Sequence, residues 1–276
     1  NRRGFGEMET VRKITKEKLS ETYEKYYIPQ NFKISIVGKL NVEEVKRLLK
    51  KTFGVWVKKG QKIKWPVPNR PETKPSIFHY QEPRKLVKFI IWFPLQGFKE
   101  YEIRERIIIL LFNFLLGASR TSSLYLKIRE ELALVYHISS GSLLYPFLGN
   151  LEIRGTVDAD KLKKALRETW GVLAKVKEKG FRKKDFERAV WFVKMQTLVQ
   201  FSGVEKIAGG FLDQMVYEKE LLLPKDYIKL AETIKPSEVN DLAQKVLDFG
   251  KASLSLMGDE KSIKKSKIEE DFISFR

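Results

Sequence analysis

The run ISIVG at positions 34–38 returns near the end of the chain as LSLMG at positions 254–258. Both runs are apolar at every second position, which predicts a β-strand, and both end at a glycine. The residues in front of them also correspond, because Lys13-Ile14-Thr15 resembles Thr233-Ile234-Lys235. Self-similarity of this kind predicts two domains of one fold, of which the first copy is truncated at its N-terminus.

A cluster of prolines divides the chain. Pro66, Pro68, Pro71 and Pro75 lie close together, and prolines at this density prevent regular secondary structure and extend the chain. We therefore predict four segments. Residues 1–57 are the remainder of the first domain, 58–75 a Pro-rich linker, 76–260 a complete second domain and 261–276 a charged tail.

The first segment is predicted as helix, strand and helix. Thr15 caps a helix that runs to Tyr26, residues 32–37 alternate as a strand, and Asn41 caps a second helix that runs to about Phe53. One strand and two helices cannot form an independent domain. The partners of this strand must therefore lie in another part of the molecule.

The second segment contains enough elements for a domain. Strands and helices are clustered in it rather than strictly alternating, which predicts an α+β fold with an antiparallel or mixed sheet layered by helices. The predicted strands are 76–81, 86–93, 136–144, 151–157 and 252–257, and the predicted helices are 100–116, 122–132, 158–179, 183–201, 204–218, 225–233 and 237–247.

The chain is strongly basic, with 53 Lys and Arg against 35 Asp and Glu and a formal net charge of +18. The excess is compatible with a polyanion-binding protein or with the Lys/Glu-rich surface of a protein from a thermophile. The charges are interspersed and no basic run alternates with aromatic residues, which favours the second interpretation and argues against nucleic acid as a partner. An acidic partner surface or acidic substrates also fit this excess.

Two further patterns bear on location and metal binding. No apolar run reaches the ~18 residues of a membrane helix, and the start of the sequence lacks the apolar part of a signal peptide, so we expect a cytoplasmic protein without a membrane span. The chain has no cysteine, and its two histidines, His79 and His137, are far apart. A His/Glu zinc site needs three protein ligands, so we predict that this chain alone binds no metal.

Two passages resemble the M16 metallopeptidases, the family of insulinase, pitrilysin and the mitochondrial processing peptidase. The domains of that family close with a pattern I-T-x-E-x-L, then Y-x-x-x-N, then I-x-I-V-G, which stands here at Ile14–Leu19, Tyr27–Asn31 and Ile34–Gly38. A second pattern, S-x-L-x-x-x-x-R-E-x-x-x-L-x-Y, stands at Ser122–Tyr136. The resemblance covers nearly the whole chain and implies the LuxS/MPP-like metallohydrolase fold.

The resemblance also implies two site residues, Arg129 and Tyr136. In the family, the tyrosine hydroxyl stabilises the oxyanion of the tetrahedral intermediate, and the arginine holds a backbone carbonyl of the peptide substrate. Ala133 departs from the family, which often has glycine there. The alternative is that Arg129 pairs with Glu130 or Glu131 on the surface and that Tyr136 packs half-buried on a strand.

The zinc motif of the family, His-x-x-Glu-His, is absent from this sequence. In the family this motif precedes the part that this chain resembles, and the metal activates water and polarises the scissile carbonyl. The resemblance therefore implies the C-terminal lobe of a zinc endopeptidase that acts on peptides. A zinc-bearing lobe, upstream or in a partner chain, would complete it as a dimer or clamshell. The alternative is a non-catalytic scaffold or assembly subunit of the same fold.

Overall fold

The computed structural model of the chain describes residues 6–64, 74–217 and 221–259, together with residues 263 and 272. The chain divides into two compact units, Asn1–Pro66 with Gln200–Leu221, and Val67–Val199 with Leu222–Arg276. The division between Pro66 and Val67 falls inside the linker predicted at 58–75. Residues 200–221 group with the first unit, whereas the sequence analysis placed them inside the second domain. Linker residues 65–73 and most of the tail at 261–276 lie outside the described residues.

The described elements comprise α-helices in both units and strands in the second unit. The α-helices are α1 (Met8–Arg12), α2 (Lys16–Tyr26), α3 (Val42–Thr52), α4 (Ile103–Leu116), α5 (Leu162–Lys179), α6 (Lys183–Gln200), α7 (Val204–Tyr217), α8 (Pro224–Glu232) and α9 (Pro236–Val246). The strands are β1 (Ile77–Gln81), β2 (Leu86–Leu95), β3 (His137–Leu144), β4 (Gly149–Asp158) and β5 (Ser253–Gly258).

Two helices of the first unit, α2 and α3, begin where the sequence predicts. The Thr15 hydroxyl accepts a hydrogen bond from the Lys18 amide, and the Asn41 side chain accepts from the amides of Glu43 and Glu44. Each cap satisfies amides at a helix start that have no carbonyl partner within the helix. The first unit therefore shows two of the three elements predicted for it.

The strand predicted over residues 32–37 is wrong as a description of this chain. The segment carries no strand assignment, and its apolar residues Phe32, Ile34 and Ile36 are exposed. A strand is defined by its ladder with a neighbour, and the described residues of the chain supply no neighbour for this segment.

The second unit is built on a mixed five-stranded sheet with the order β1-β5-β2-β4-β3. β1 pairs with β5 in parallel, and all other neighbours are antiparallel. This confirms the predicted α+β fold and its mixed sheet. In this order, β1 and β3 form the two edges of the sheet.

One face of the sheet carries the core. The side chains of Val87, Phe89, Ile91 and Phe93 alternate along β2 and are fully buried, as expected for a strand with one face against helices. α4 is apolar on most of its surface, with nine buried residues, and it packs against α8, α9 and β3. Among the described residues, no helix is both long and apolar enough to span a bilayer.

Candidate functional site

The segment that carries Arg129 is a π-helix, Tyr125–Glu131. The sequence predicts an α-helix from Ser122 to Leu132, and this is a correction. The Leu132 amide donates to the Lys127 carbonyl, five residues earlier, at 3.1 Å, so the turn is wider than an α-turn. The apolar pattern could not show this, because Leu124 and Ile128 are fully buried in the observed helix and their spacing suits both helix types. π-turns are rare and occur often at functional sites.

A strained turn follows the π-helix. Ala133 has φ +47° and is the one non-glycine residue with a positive φ in the part of the chain that the structure describes. On either side of it the chain is fixed, because the Leu134 amide donates to the Ile128 carbonyl at 3.0 Å and Leu134 and Val135 are buried. The turn therefore leads the chain from the helix to β3 within a few residues.

Arg129 lies on the exposed side of the π-helix. Its guanidinium group is 5.1 Å from the ring centre of Tyr125, a cation–π contact within the same helix. The neighbouring carboxylate of Glu131 pairs with Lys127 instead. Arg129 is exposed, and no ion pair engages it among the described residues, unlike the alternative in which it pairs with Glu130 or Glu131.

Tyr136 stands directly before β3, and 58% of its surface is exposed. Its amide donates to the Thr156 carbonyl at 2.9 Å, which fixes the backbone beside β4. Its hydroxyl lies 3.2 and 3.3 Å from the two carboxylate oxygens of Asp158. The hydroxyl is thus held at the sheet edge while the ring remains open to solvent.

The sequence predicts a helix over residues 158–179, and its start is also corrected, because α5 begins at Leu162. A short 3-10 turn, Ala159–Lys161, separates Asp158 from α5, and the side chain of Asp158 makes no cap hydrogen bond. Its carboxylate instead contacts Tyr136 and lies 3.6 Å from the Lys161 ammonium. No pattern in the sequence indicates that Asp158 lies beside Tyr136.

Close packing places β3 relative to α4. A Cβ on Gly117, at the end of α4, would lie 2.4 Å from the backbone nitrogen of Ser140, which only glycine allows.

The structure places Arg129 and Tyr136 in the same unit, on either side of the Ala133 turn. The two side chains contact different partners, Tyr125 and Asp158.

The described residues of this chain do not fit a zinc site. Within those ranges, no group of three His, Cys, Asp or Glu side chains lies close enough to hold a metal ion. His137 is exposed, and its Nε2 lies 3.0 Å from the Ser139 hydroxyl.

Comparison with known proteins gives the context of this geometry. The family described as the peptidase M16 inactive domain matches residues 13–192. The uncharacterized zinc protease YmxG of Bacillus subtilis (strain 168) is 25% identical over 260 residues, which are 92% of this chain and 61% of that protein.

Solved structures show the same fold at lower identity. A peptidase M16 inactive domain from Pseudomonas fluorescens is 20% identical, with a TM-score of 0.80 over 92% of this chain and 60% of that one. A protease from Helicobacter pylori is 17% identical, with a TM-score of 0.78 over 92% of this chain and 61% of that one. The chain thus spans about three-fifths of the length of these relatives.

Proposed function

Since the chain belongs to the M16 peptidase family, through its inactive-domain type, we propose that it is the C-terminal, substrate-holding lobe of a zinc endopeptidase. One observation carries this proposal. At the positions where the family pattern has its Arg/Tyr pair, Arg129 and Tyr136 are both exposed on either side of one fixed turn. A residue pair that served only packing would be buried.

Arg129 supports the proposal through its free donors. A guanidinium group offers five N–H donors in a planar fork and stays charged at any working pH. The planar face of the guanidinium group contacts the Tyr125 ring. Its N–H groups, which lie along the edge, remain available to a ligand. In the proposal, these N–H groups donate to a backbone carbonyl of the bound peptide and hold the scissile bond in place.

Tyr136 supports the proposal through its placed hydroxyl. A donor aimed at the position of a developing oxyanion stabilises the transition state more than the substrate. In the proposal, the Tyr136 hydroxyl turns its hydrogen from Asp158 to the oxyanion, and no proton is transferred. Asp158 acts as a positioning residue, because its carboxylate accepts from the hydroxyl at 3.2 Å when no substrate is bound.

The zinc ion of the proposal belongs to a complementary lobe, because the described residues here do not fit one. That lobe and this one would close on a peptide as two halves of one site, within one chain or between two. The net charge of +18 would favour acidic peptides, since a cleft of one sign raises the capture rate of ligands of the other sign at low salt.

The test is peptide cleavage by the longest natural form of the protein, with zinc and with a chelator. We expect chelator-sensitive cleavage, and we expect Arg129→Ala to raise KM by about tenfold or more, since a charge-assisted hydrogen bond contributes roughly 1.5–3 kcal/mol. Arg129→Lys should restore part of the loss, because it keeps the charge but loses the fork.

The matched control is Arg167→Ala, which removes an exposed arginine of α5 whose ion pair with Glu168 is 3.9 Å long. It should leave KM unchanged. If the zinc-loaded protein cleaves no peptide, or if Arg129→Ala behaves like Arg167→Ala, the chain is a non-catalytic scaffold of the same fold.

A further inference from the structure

A cavity of about 510 Å³ lies in the second unit, between the π-helix and α5. We infer that this cavity binds short peptides, two or three residues long, that have both termini free and carry apolar side chains. The inference goes beyond the proposed function, because it requires neither zinc nor cleavage. Neither Arg129 nor Tyr136 is among the residues that line the cavity.

Three parts of the second unit form the walls. The π-helix contributes Leu126 and Lys127, α5 contributes Gly171 and Val172, and the start of α6 contributes Asp185. The helix that carries Arg129 therefore also forms one wall of the cavity. π-turns occur often at functional sites, which favours a ligand at this wall.

Gly171 leaves room for an occupant. It lies in the middle of α5, where glycine destabilises a helix relative to alanine. A Cβ at this position would meet no atom within 4 Å, so packing inside the chain does not require glycine here. Because Gly171 lines the cavity, the missing side chain allows a molecule to lie against the backbone of α5.

The charged side chains of the walls balance each other. Three of them are basic and three are acidic. Four form close ion pairs within the chain, Lys127 with Glu131 and Arg182 with Asp185. The other two are Glu168 and Lys175. Walls without net charge favour a ligand with one charge of each sign over a simple anion or cation.

Glu168 and Lys175 can each bind a charged group of a ligand. The Glu168 carboxylate lies 3.9 Å from the Arg167 guanidinium, which is longer than a hydrogen bond. Lys175 is exposed, and within the described ranges no hydrogen bond or ion pair engages its ammonium group. The cavity thus offers one acceptor to an ammonium group and one donor to a carboxylate.

The spacing of these two residues sets the length of the ligand. Glu168 and Lys175 lie on one face of α5, seven residues apart, and seven helical residues rise by about 10.5 Å. An extended peptide of two or three residues is about 7–10 Å long, whereas the termini of a single amino acid lie only about 3.5 Å apart. A short peptide can therefore reach both residues with its termini.

The part of α5 between the two charges suits apolar side chains. Val172 lies between Glu168 and Lys175, and Leu126 of the π-helix lines the same cavity with 43% of its surface exposed. Apolar surface that is open to water gains from contact with an apolar group. A peptide bound at Glu168 and Lys175 would lay its side chains over this surface.

Titration calorimetry with the dipeptide Leu-Leu tests the inference in the longest natural form of the protein. Leu-Leu should bind. Its N-acetylated form, its C-terminal amide and leucine should each bind at least about fivefold more weakly, because each loses a charge-assisted contact. No binding of Leu-Leu up to about 10 mM would overturn the inference, and so would equally tight binding of any of the other three compounds.

Charge variants assign the two termini. Glu168→Gln should remove the preference for Leu-Leu over its N-acetylated form, and Lys175→Met should remove the preference over the amide. A variant that only disturbed the fold would weaken all of these compounds alike. Glu178→Gln and Lys164→Met are the controls, because they change exposed residues of α5 that do not line the cavity. Preferences that persist in Glu168→Gln or Lys175→Met would contradict the inference.

Gly171→Leu tests the room beside α5. Leucine favours a helix more than glycine does, so the variant should fold and, by filling the cavity, bind Leu-Leu at least about tenfold more weakly. Gly209→Leu, at a glycine of α7 that also has open space around it, is the control. Unchanged binding in Gly171→Leu would place the dipeptide elsewhere and overturn the inference.

Arg129→Ala separates this inference from the proposed function. The variant should bind Leu-Leu as the parent does, although the proposed function predicts weaker cleavage of peptide substrates. Loss of Leu-Leu binding in Arg129→Ala would place the dipeptide at Arg129 and overturn the inference. A protein that binds Leu-Leu in the cavity but cleaves no peptide would contradict the proposed function alone.

Discussion

At the scale of single residues, Ala133 is the most constrained position near the site. Its φ of +47° is a left-handed conformation that costs an L-residue about 1 kcal/mol, whereas glycine adopts it readily. The family often has glycine at this position, so this chain keeps the turn at a cost in stability. The buried residues Leu134 and Val135 and the hydrogen bond to Ile128 hold it in place.

Ala133→Gly should therefore stabilise the protein. We expect the free energy of unfolding to rise by about 0.5–1 kcal/mol, because relief of the strain exceeds the added entropy of the unfolded chain. Urea unfolding measures this. Ala174→Gly, within α5, is the control and should lower stability by about 1 kcal/mol. A loss of stability in Ala133→Gly would show that the turn is not strained.

The sequence predicted Arg129 and Tyr136 but not Asp158. The first two follow from the resemblance to the family pattern that stands at Ser122–Tyr136. Asp158 meets Tyr136 only because β3 and β4 pair antiparallel, with His137 opposite Thr156, which brings two residues 22 positions apart together at the end of the ladder. A local pattern does not contain that register. That Arg129 and Tyr136 act on a substrate stays a prediction.

At the scale of elements, the helix caps and most strands could be predicted, and the exceptions depend on context. The strand predicted at 32–37 has the right alternation but no neighbouring strand among the described residues. The helix predicted at 122–132 has the right apolar spacing, but its hydrogen bonds follow the π pattern. Propensity and periodicity describe a segment by itself. Strand pairing and π-type hydrogen bonds are instead fixed by the residues that surround the segment.

One ion pair ties α4 to α9 and to the end of α8. The Arg104 guanidinium donates to both carboxylate oxygens of Glu238 at 2.8 and 2.9 Å, and to the Thr233 hydroxyl at 2.7 Å. The Glu238 carboxylate also accepts from the Lys235 amide at 2.8 Å. The hydrogen bonds from Arg104, more than any other contact, lower the pKa of Glu238 below its ordinary value of 4.5.

The ion pair between Arg104 and Glu238 predicts a pH-dependent contribution to the free energy of unfolding. A carboxyl with a lowered folded-state pKa stabilises the fold above its unfolded pKa of about 4.5, and the gain is lost as the pH falls through the lower folded value. Glu238→Gln should cost on the order of 1 kcal/mol at pH 7. The difference from the parent should shrink below pH 4.5.

Unfolding by urea at a series of pH values measures the effect. Glu187→Gln, on the exposed side of α6, is the control and should change stability by only a few tenths of a kcal/mol at any pH. A cost of Glu238→Gln that stays constant from pH 7 to pH 3 would show that the charge of Glu238 does not contribute.

At the scale of the whole molecule, the α+β fold and the family were predictable, because the repeated ending and the Arg/Tyr pattern lie far apart and agree with each other. The division into the two units was less predictable. Residues 200–221 lie inside the predicted second domain, 76–260, but group with the first unit, and no local pattern marks such an exchange. The cytoplasmic location and the origin in a thermophile stay predictions.

We propose that Tyr136 stabilises the oxyanion in a site that a zinc-bearing lobe completes. The most direct measurement is kcat for peptide cleavage by Tyr136→Phe in the longest, zinc-loaded natural form. Tyr145→Phe is the control, since Tyr145 is 62% exposed and lies outside the family pattern. We predict a kcat about a hundredfold lower for Tyr136→Phe at nearly unchanged KM, and no change for the control. A kcat equal to that of the parent would contradict the account.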